Sequence, residues 1–171
     1  MPEAVLTNPL MEGLNDTRSA QPHTVVIFGA TGDLTARKLI PALFELNRGG
    51  YIPARSAILG LGRRDKDDAE FRDDVSKALR EYARTGPPTD PELEAFIGRV
   101  YYFKSSYMEE DAYPHLCERL QQLETKLAIP PNRLFYLATT PDAFPFIIEH
   151  LSRSGLVKPP AAAQGWQRVV I

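Results

Sequence analysis

The chain has 171 residues, the length of one domain with a substantial core. Its 20 lysines and arginines nearly balance 22 aspartates and glutamates, for a formal net charge of -2, so no overall field draws it towards nucleic acid or an anionic membrane. A single cysteine, Cys117, excludes an internal disulfide and accords with the reducing cytoplasm, and no apolar run approaches the roughly 20 residues that a bilayer span needs.

Residues 1–22 mix Pro, Asn, Glu, Thr, Ser and Gln with isolated apolar residues, which predicts a poorly ordered tail rather than a secretory signal. From residue 23 onwards, short apolar runs alternate with helical patterns. The runs are Val25 to Phe28, Ala57 to Leu61, Val100 to Phe103, Leu134 to Ala138 and Val169 to Ile171. They lack polar alternation, as strands buried on both faces do, so the expectation is a parallel sheet covered by helices on each side, a doubly wound α/β domain over residues 23–171.

The first helix is expected from Asp33 to Asn47 with Leu39, Leu43 and Leu46 on its buried stripe and a kink or break at Pro41. Residues 66–84 predict a second helix facing inward through Phe71, Val75, Leu79 and Tyr82. Asp90 is the expected N-cap of a short helix carrying Leu93, Phe96 and Ile97. A helix over about Glu109 to Ala128 and another over about Pro141 to Ser154 complete the set, and Lys158 to Gly165 reads as an exposed loop.

The chemistry concentrates where the first strand meets its helix. Val25-Val26-Ile27-Phe28 runs into Gly29-Ala30-Thr31-Gly32, a glycine turn that brings the N–H groups of the next helix to a bound phosphate. The second strand ends in Arg63-Arg64, where an NAD site would carry an acidic residue for the ribose 2′-hydroxyl. A carboxylate there repels a 2′-phosphate, whereas a guanidinium grips it through several coplanar donors, so the expected cofactor is NADP. Arg63 is the candidate for that contact and Arg64 ranks behind it.

The residues that carry this reading also carry a resemblance. GATGDLTARKLIPALF is similar to the GASGDLAxxKxxPxxF opening of the glucose-6-phosphate dehydrogenase family, NRLFYLATTP resembles its NRLFYLALPP, and the closing GWQRVVI resembles the approach to its EKPFG motif. The resemblance spans about Val25 to Ile171 and implies a Rossmann-like coenzyme domain of an enzyme that oxidises glucose 6-phosphate with NADP, homo-oligomeric as a full-length protein. Carried over by motif, Gly29, Ala30, Thr31, Gly32, Asp33, Leu34 and Thr35 would hold the pyrophosphate and Arg63 the 2′-phosphate. Ser106 and Tyr107 would lie beside the adenosine half, and Lys38 near the active-site side of the cofactor. Thr139-Thr140 and Phe144 depart from the family pattern.

The resemblance also leaves the sheet incomplete at the C-terminus: the chain stops before the EKPFG lysine and has nothing like the RIDHYLGKE segment that holds the histidine base. The expectation is a domain without its catalytic half, binding cofactor at most. The alternative is a stand-alone nucleotide-binding or regulatory module. None of His23, His115 and His150 falls at the carboxyl end of a strand, where a general base is expected. Cys117 lies in a helical stripe, the Glu109-Glu110-Asp111 cluster suits a helix start, and neither a zinc-ligand spacing nor a GxxxxGK[ST] loop is present. No tyrosine is followed at the short-chain dehydrogenase spacing by lysine.

Overall fold

A computed structural model describes residues 20–159 and 164–171. Within it, strands β1 (Thr24–Phe28), β2 (Ala57–Gly62), β3 (Val100–Lys104), β4 (Arg133–Leu137) and β5 (Gln167–Val170) form one parallel sheet in the order β3-β2-β1-β4-β5. Successive side chains of a strand leave on opposite faces, so Val25 and Ile27 of β1 feed one core while Val26 and Phe28 feed the other. Helices α1 (Ile40–Arg48), α2 (Asp68–Tyr82) and α3 (Asp90–Ile97) cover the first face, and α4 (Ala112–Leu127) and α5 (Phe144–Arg153) cover the second. The expected doubly wound, Rossmann-like α/β architecture is the observed one. Every residue of β1 and β2 is buried, which is why both read as unbroken apolar runs, whereas β5 alternates at the sheet edge.

The break expected at Pro41 takes a particular form. A π-helical turn, Thr35–Leu39, precedes α1, and Ile40 N–H donates to Thr35 O, five residues back. Pro41 then sits in the first turn of α1, directly after this change of register, and supplies no N–H to the backward ladder that Ile40 still makes. The helices are also shorter at their starts than the sequence suggests. α4 begins at Ala112 rather than Glu109, since Glu109 and Glu110 belong to turns whose carbonyls receive Ala112 N and Tyr113 N. Of the expected tail, residues 1–19 lie outside the described residues, as do 160–163 of the expected loop. Residues 20–22, expected in the tail, are pinned instead: Ala20 N donates to Tyr51 O, and Asn132 Nδ2 donates to Pro22 O at 3.0 Å.

The N-cap of α3 is Thr89, not Asp90. Thr89 has the extended backbone an N-cap requires, and both its N–H and its hydroxyl donate to Glu92 Oε2 at 2.8 Å. Asp90 instead pairs with Arg80 across the helix corner at 3.1 Å. These bonds from Thr89, with Arg48 Nε at 3.0 Å, hold the Glu92 carboxyl at about 2. A depressed carboxylate contributes stability above the ordinary carboxylate range and loses it as pH falls towards the folded value. Urea unfolding of Glu92→Gln is therefore expected to show a shallower loss of stability between about pH 4.5 and pH 2 than the parent chain. An identical acid limb in both proteins would refute the role.

Candidate functional site: a cleft at the carboxyl ends of β1 and β4

The chain leaves β1 over one face of the sheet and leaves β4 over the other, so the two connections diverge beyond the carboxyl ends of neighbouring strands and open a crevice between them. A cleft of about 610 Å³ lies there, lined by Gly29, Thr31 to Leu34, Gly62 to Arg64, Tyr107 and Ala138 to Pro141.

Gly29 makes the turn possible. Its φ is +82°, and a Cβ there would stand 2.4 Å from Ala138 O, so the end of β4 occupies the space that any side chain would need. The turn is then bonded into the sheet: Gly29 N and Ala30 N both donate to Leu61 O, at 3.1 and 3.0 Å, and Gly32 N donates to Gly29 O at 3.0 Å. Thr35, buried, adds its hydroxyl to the same Gly29 carbonyl at 3.1 Å. The first backward bond of the helix is Ala36 N to Gly32 O, so the N–H groups of Asp33, Leu34 and Thr35 precede the helical ladder and form its positive end.

Of the sequence candidates, Gly29, Thr31, Gly32, Asp33, Leu34, Arg63 and Tyr107 line this one cleft. Ala30 and Thr35 belong to the same turn but bury their side chains, Ala30 against the bare Cα of Gly60. Ser106 sits at the start of the β3–α4 loop, where its hydroxyl accepts from Met108 N at 3.4 Å. Lys38 is exposed in the π-helical turn and does not line the cleft. Tyr107 is held by its backbone, since the Tyr113 hydroxyl donates to Tyr107 O at 2.7 Å and burial pushes that phenol well above its ordinary range.

Arg63 and Arg64 are exposed at the end of β2, and among the described residues neither forms an ion pair. The nearest carboxylate in sequence, Asp65, is engaged by Lys104 at 2.8 Å. The cleft mouth therefore carries two uncompensated guanidinium groups beside a glycine turn and a helix start, an arrangement that attracts anions at two separated points.

The opposite wall, Ala138 to Pro141, was not a sequence candidate for binding, although Thr139-Thr140 stood out as departures. The available signal was positional, because strands flanking a reversal of sheet order share the crevice. His23 and His150 are buried, their Nδ1 atoms against the carbonyls of Gln21 and Phe146, while His115 is exposed beside Glu118. Cys117 is partly buried on α4. Among the described residues no cluster of His, Cys, Asp and Glu could hold a metal ion, and no helix is long and apolar enough to cross a membrane.

Sheet order, glycine turn and crevice together define a dinucleotide-binding domain of the doubly wound class. Residues 26–171 match the family model described as glucose-6-phosphate dehydrogenase, NAD binding domain, and the chain belongs to that family. It is 36% identical over 173 residues to a glucose-6-phosphate 1-dehydrogenase of Chlamydia pneumoniae, covering 97% of this chain and 33% of that protein. It is 37% identical over 152 residues to the glucose-6-phosphate 1-dehydrogenase of Bacillus subtilis (strain 168), covering 88% and 29%. A solved structure, glucose-6-phosphate dehydrogenase in complex with its substrate glucose-6-phosphate, superimposes with a TM-score of 0.76 at 29% identity over 90% of this chain and 30% of that one. The chain thus spans about a third of the length of these relatives.

Proposed function

We propose that residues 23–171 are the coenzyme-binding domain of an NADP-dependent glucose-6-phosphate dehydrogenase, in which the whole enzyme oxidises glucose 6-phosphate to its lactone. Family membership supports a nicotinamide dinucleotide. The preference for NADP rests on one observation, the unpaired Arg63 at the end of β2, flanking the cleft with Arg64. In this reading Gly29 to Thr35 hold the pyrophosphate through the turn and helix start, Arg63 holds the 2′-phosphate, and Ser106 and Tyr107 lie towards the adenosine. Lys38 lies towards the active-site side. When bound, the nicotinamide ring is the hydride acceptor. A cytoplasmic location and a homo-oligomeric whole enzyme belong to the same proposal.

The residues present suit such a ligand. The bare Cα of Gly29 lets the chain turn hard against the end of β4, the helix start offers backbone donors, and the two acids near the arginine pair are each met by a base, Asp65 by Lys104 at 2.8 Å and the cleft-lining Asp33 by Arg37 at 3.8 Å. The test is calorimetric titration of NADP and NAD into the chain and into Arg63→Ala. The substitution is expected to weaken NADP by about 10- to 100-fold, the worth of a charge-assisted hydrogen bond, and to leave NAD nearly unchanged. Equal affinity of the unaltered chain for both nucleotides would overturn the NADP preference.

A further inference from the structure

We infer that Tyr102 is a positioning residue for cofactor selection: from β3 its hydroxyl fixes the turn that presents Arg63 and Arg64 to the cleft. The inference rests on the NADP reading above and assigns its selectivity to a residue that does not line the cleft.

The segment from Arg63 to Asp67 joins β2 to α2, and a guanidinium carried on such a turn meets its ligand well only if the backbone beneath it is held. The Tyr102 hydroxyl donates to Arg64 O at 3.0 Å, a bond to the arginine pair's own main chain. Other ties lie further along or outside. Lys104 Nζ meets Asp65 at 2.8 Å in solvent, Lys66 meets Asp74 at 2.9 Å, and Asp67 caps α2 by exchanging bonds with Glu70.

Tyr102 is itself immobilised. It is only 5% exposed, its ring lies 5.0 Å from that of Phe71, its N–H donates to the Asp68 carboxylate at 2.6 Å, and it pairs with Gly60 in the sheet. Burial raises its phenol above the ordinary range, so the hydroxyl stays a neutral donor at working pH. The hydroxyl also lies against Gly62 on the same side as Thr31 of the glycine turn, so that a Cβ at Gly62 would meet both. One buried group therefore bonds the main chain of the arginine pair and packs on the end of β2 beside the glycine turn.

Tyr102→Phe keeps the ring packed on Phe71 and removes only the bond to Arg64. It is expected to weaken NADP about three- to tenfold, the loss of one net hydrogen bond's worth of order at the turn, and to leave NAD within about twofold. Adenosine 2′,5′-bisphosphate should follow NADP, and AMP should follow NAD. A purely structural role would move all four ligands together, so equal losses, or no loss for NADP, would overturn the inference. If instead the unaltered chain binds NADP no better than NAD, or binds neither, the functional reading fails and the inference falls with it. Lys104→Met severs the outer tie without touching the core. It is expected to lower NADP affinity by no more than about twofold with NAD unchanged, so a loss of NADP as large as that of Tyr102→Phe would place the selecting tie outside the core and overturn the inference.

Discussion

Gly29→Ala is expected to destabilise the chain by about 3 kcal/mol and to abolish nucleotide binding. Two costs combine at this position. A non-glycine residue at φ +82° carries left-handed strain of about 1–2 kcal/mol. The added Cβ also meets Ala138 O at 2.4 Å and Ala138 C at 3.2 Å, main-chain atoms directly after β4 that cannot swing aside as a side chain would. Relief requires β1 and β4 to separate at their carboxyl ends, which presses the turn towards β2, where Gly29 N and Ala30 N already bond Leu61 O, and disturbs the turn that Thr35 and Gly32 brace. The measurement is thermal unfolding, with a midpoint lowered by roughly 6–12 °C for a domain of this size, alongside titration with nucleotide. Gly50→Ala is the comparison, because Gly50 has φ +76° with nothing within 4 Å, so it carries strain without collision. If the two variants lose the same stability, the close approach of β4 is not what demands glycine at position 29.

Glu124→Ala is expected to cost about 3–5 kcal/mol. Arg133 opens β4 and reaches Glu124 on α4 through two bonds, Nε to Oε1 at 2.7 Å and Nη2 to Oε2 at 2.9 Å, with both side chains only 8% exposed. Deleting the carboxylate leaves a guanidinium buried between helix and sheet without its partner, and that uncompensated charge sets the loss rather than the intrinsic worth of the pair. Replacing both residues, as in Glu124→Leu with Arg133→Met, is expected to recover most of the stability, since two apolar side chains need no partner. Urea unfolding of the two single variants and the double variant checks this through their coupling. The pair lies at the amino end of β4 and the cleft at its carboxyl end, so folded Glu124→Ala should bind nucleotide as the parent does. A single variant within about 1 kcal/mol of the parent would mean that water reaches the arginine.

These two sites differ in how far they can be read from the chain alone. The Gly29 turn is a local signal, four buried residues followed by two glycines, and its place is legible because strand, turn and helix follow one another. The Arg133–Glu124 pair is not. Glu124 sits between Leu123 and Thr125 in a polar helix and Arg133 heads an apolar strand, and only the packing of α4 across β4 brings them together. The same holds for Thr89 against Asp90: both are good caps by type, and the preference goes to the residue whose extended backbone meets Glu92 while Arg80 draws Asp90 away. Tyr102 reads as one apolar residue of β3, and its hydroxyl acquires a role only because the turn after β2 returns to it.

By itself the chain determined its strands, the alternation of helix and strand, the glycine turn and the basic end of β2, since burial on both faces and tight turns select residue types within a few positions of one another. Only the tertiary structure decided which strands are neighbours, and with that order the second wall of the cleft at Ala138 to Pro141, the buried ion pair and the anchoring of Arg64. Those features join residues from separate elements. Their partners are chosen by sheet order and helix packing, which the spacing of residues along one segment does not encode.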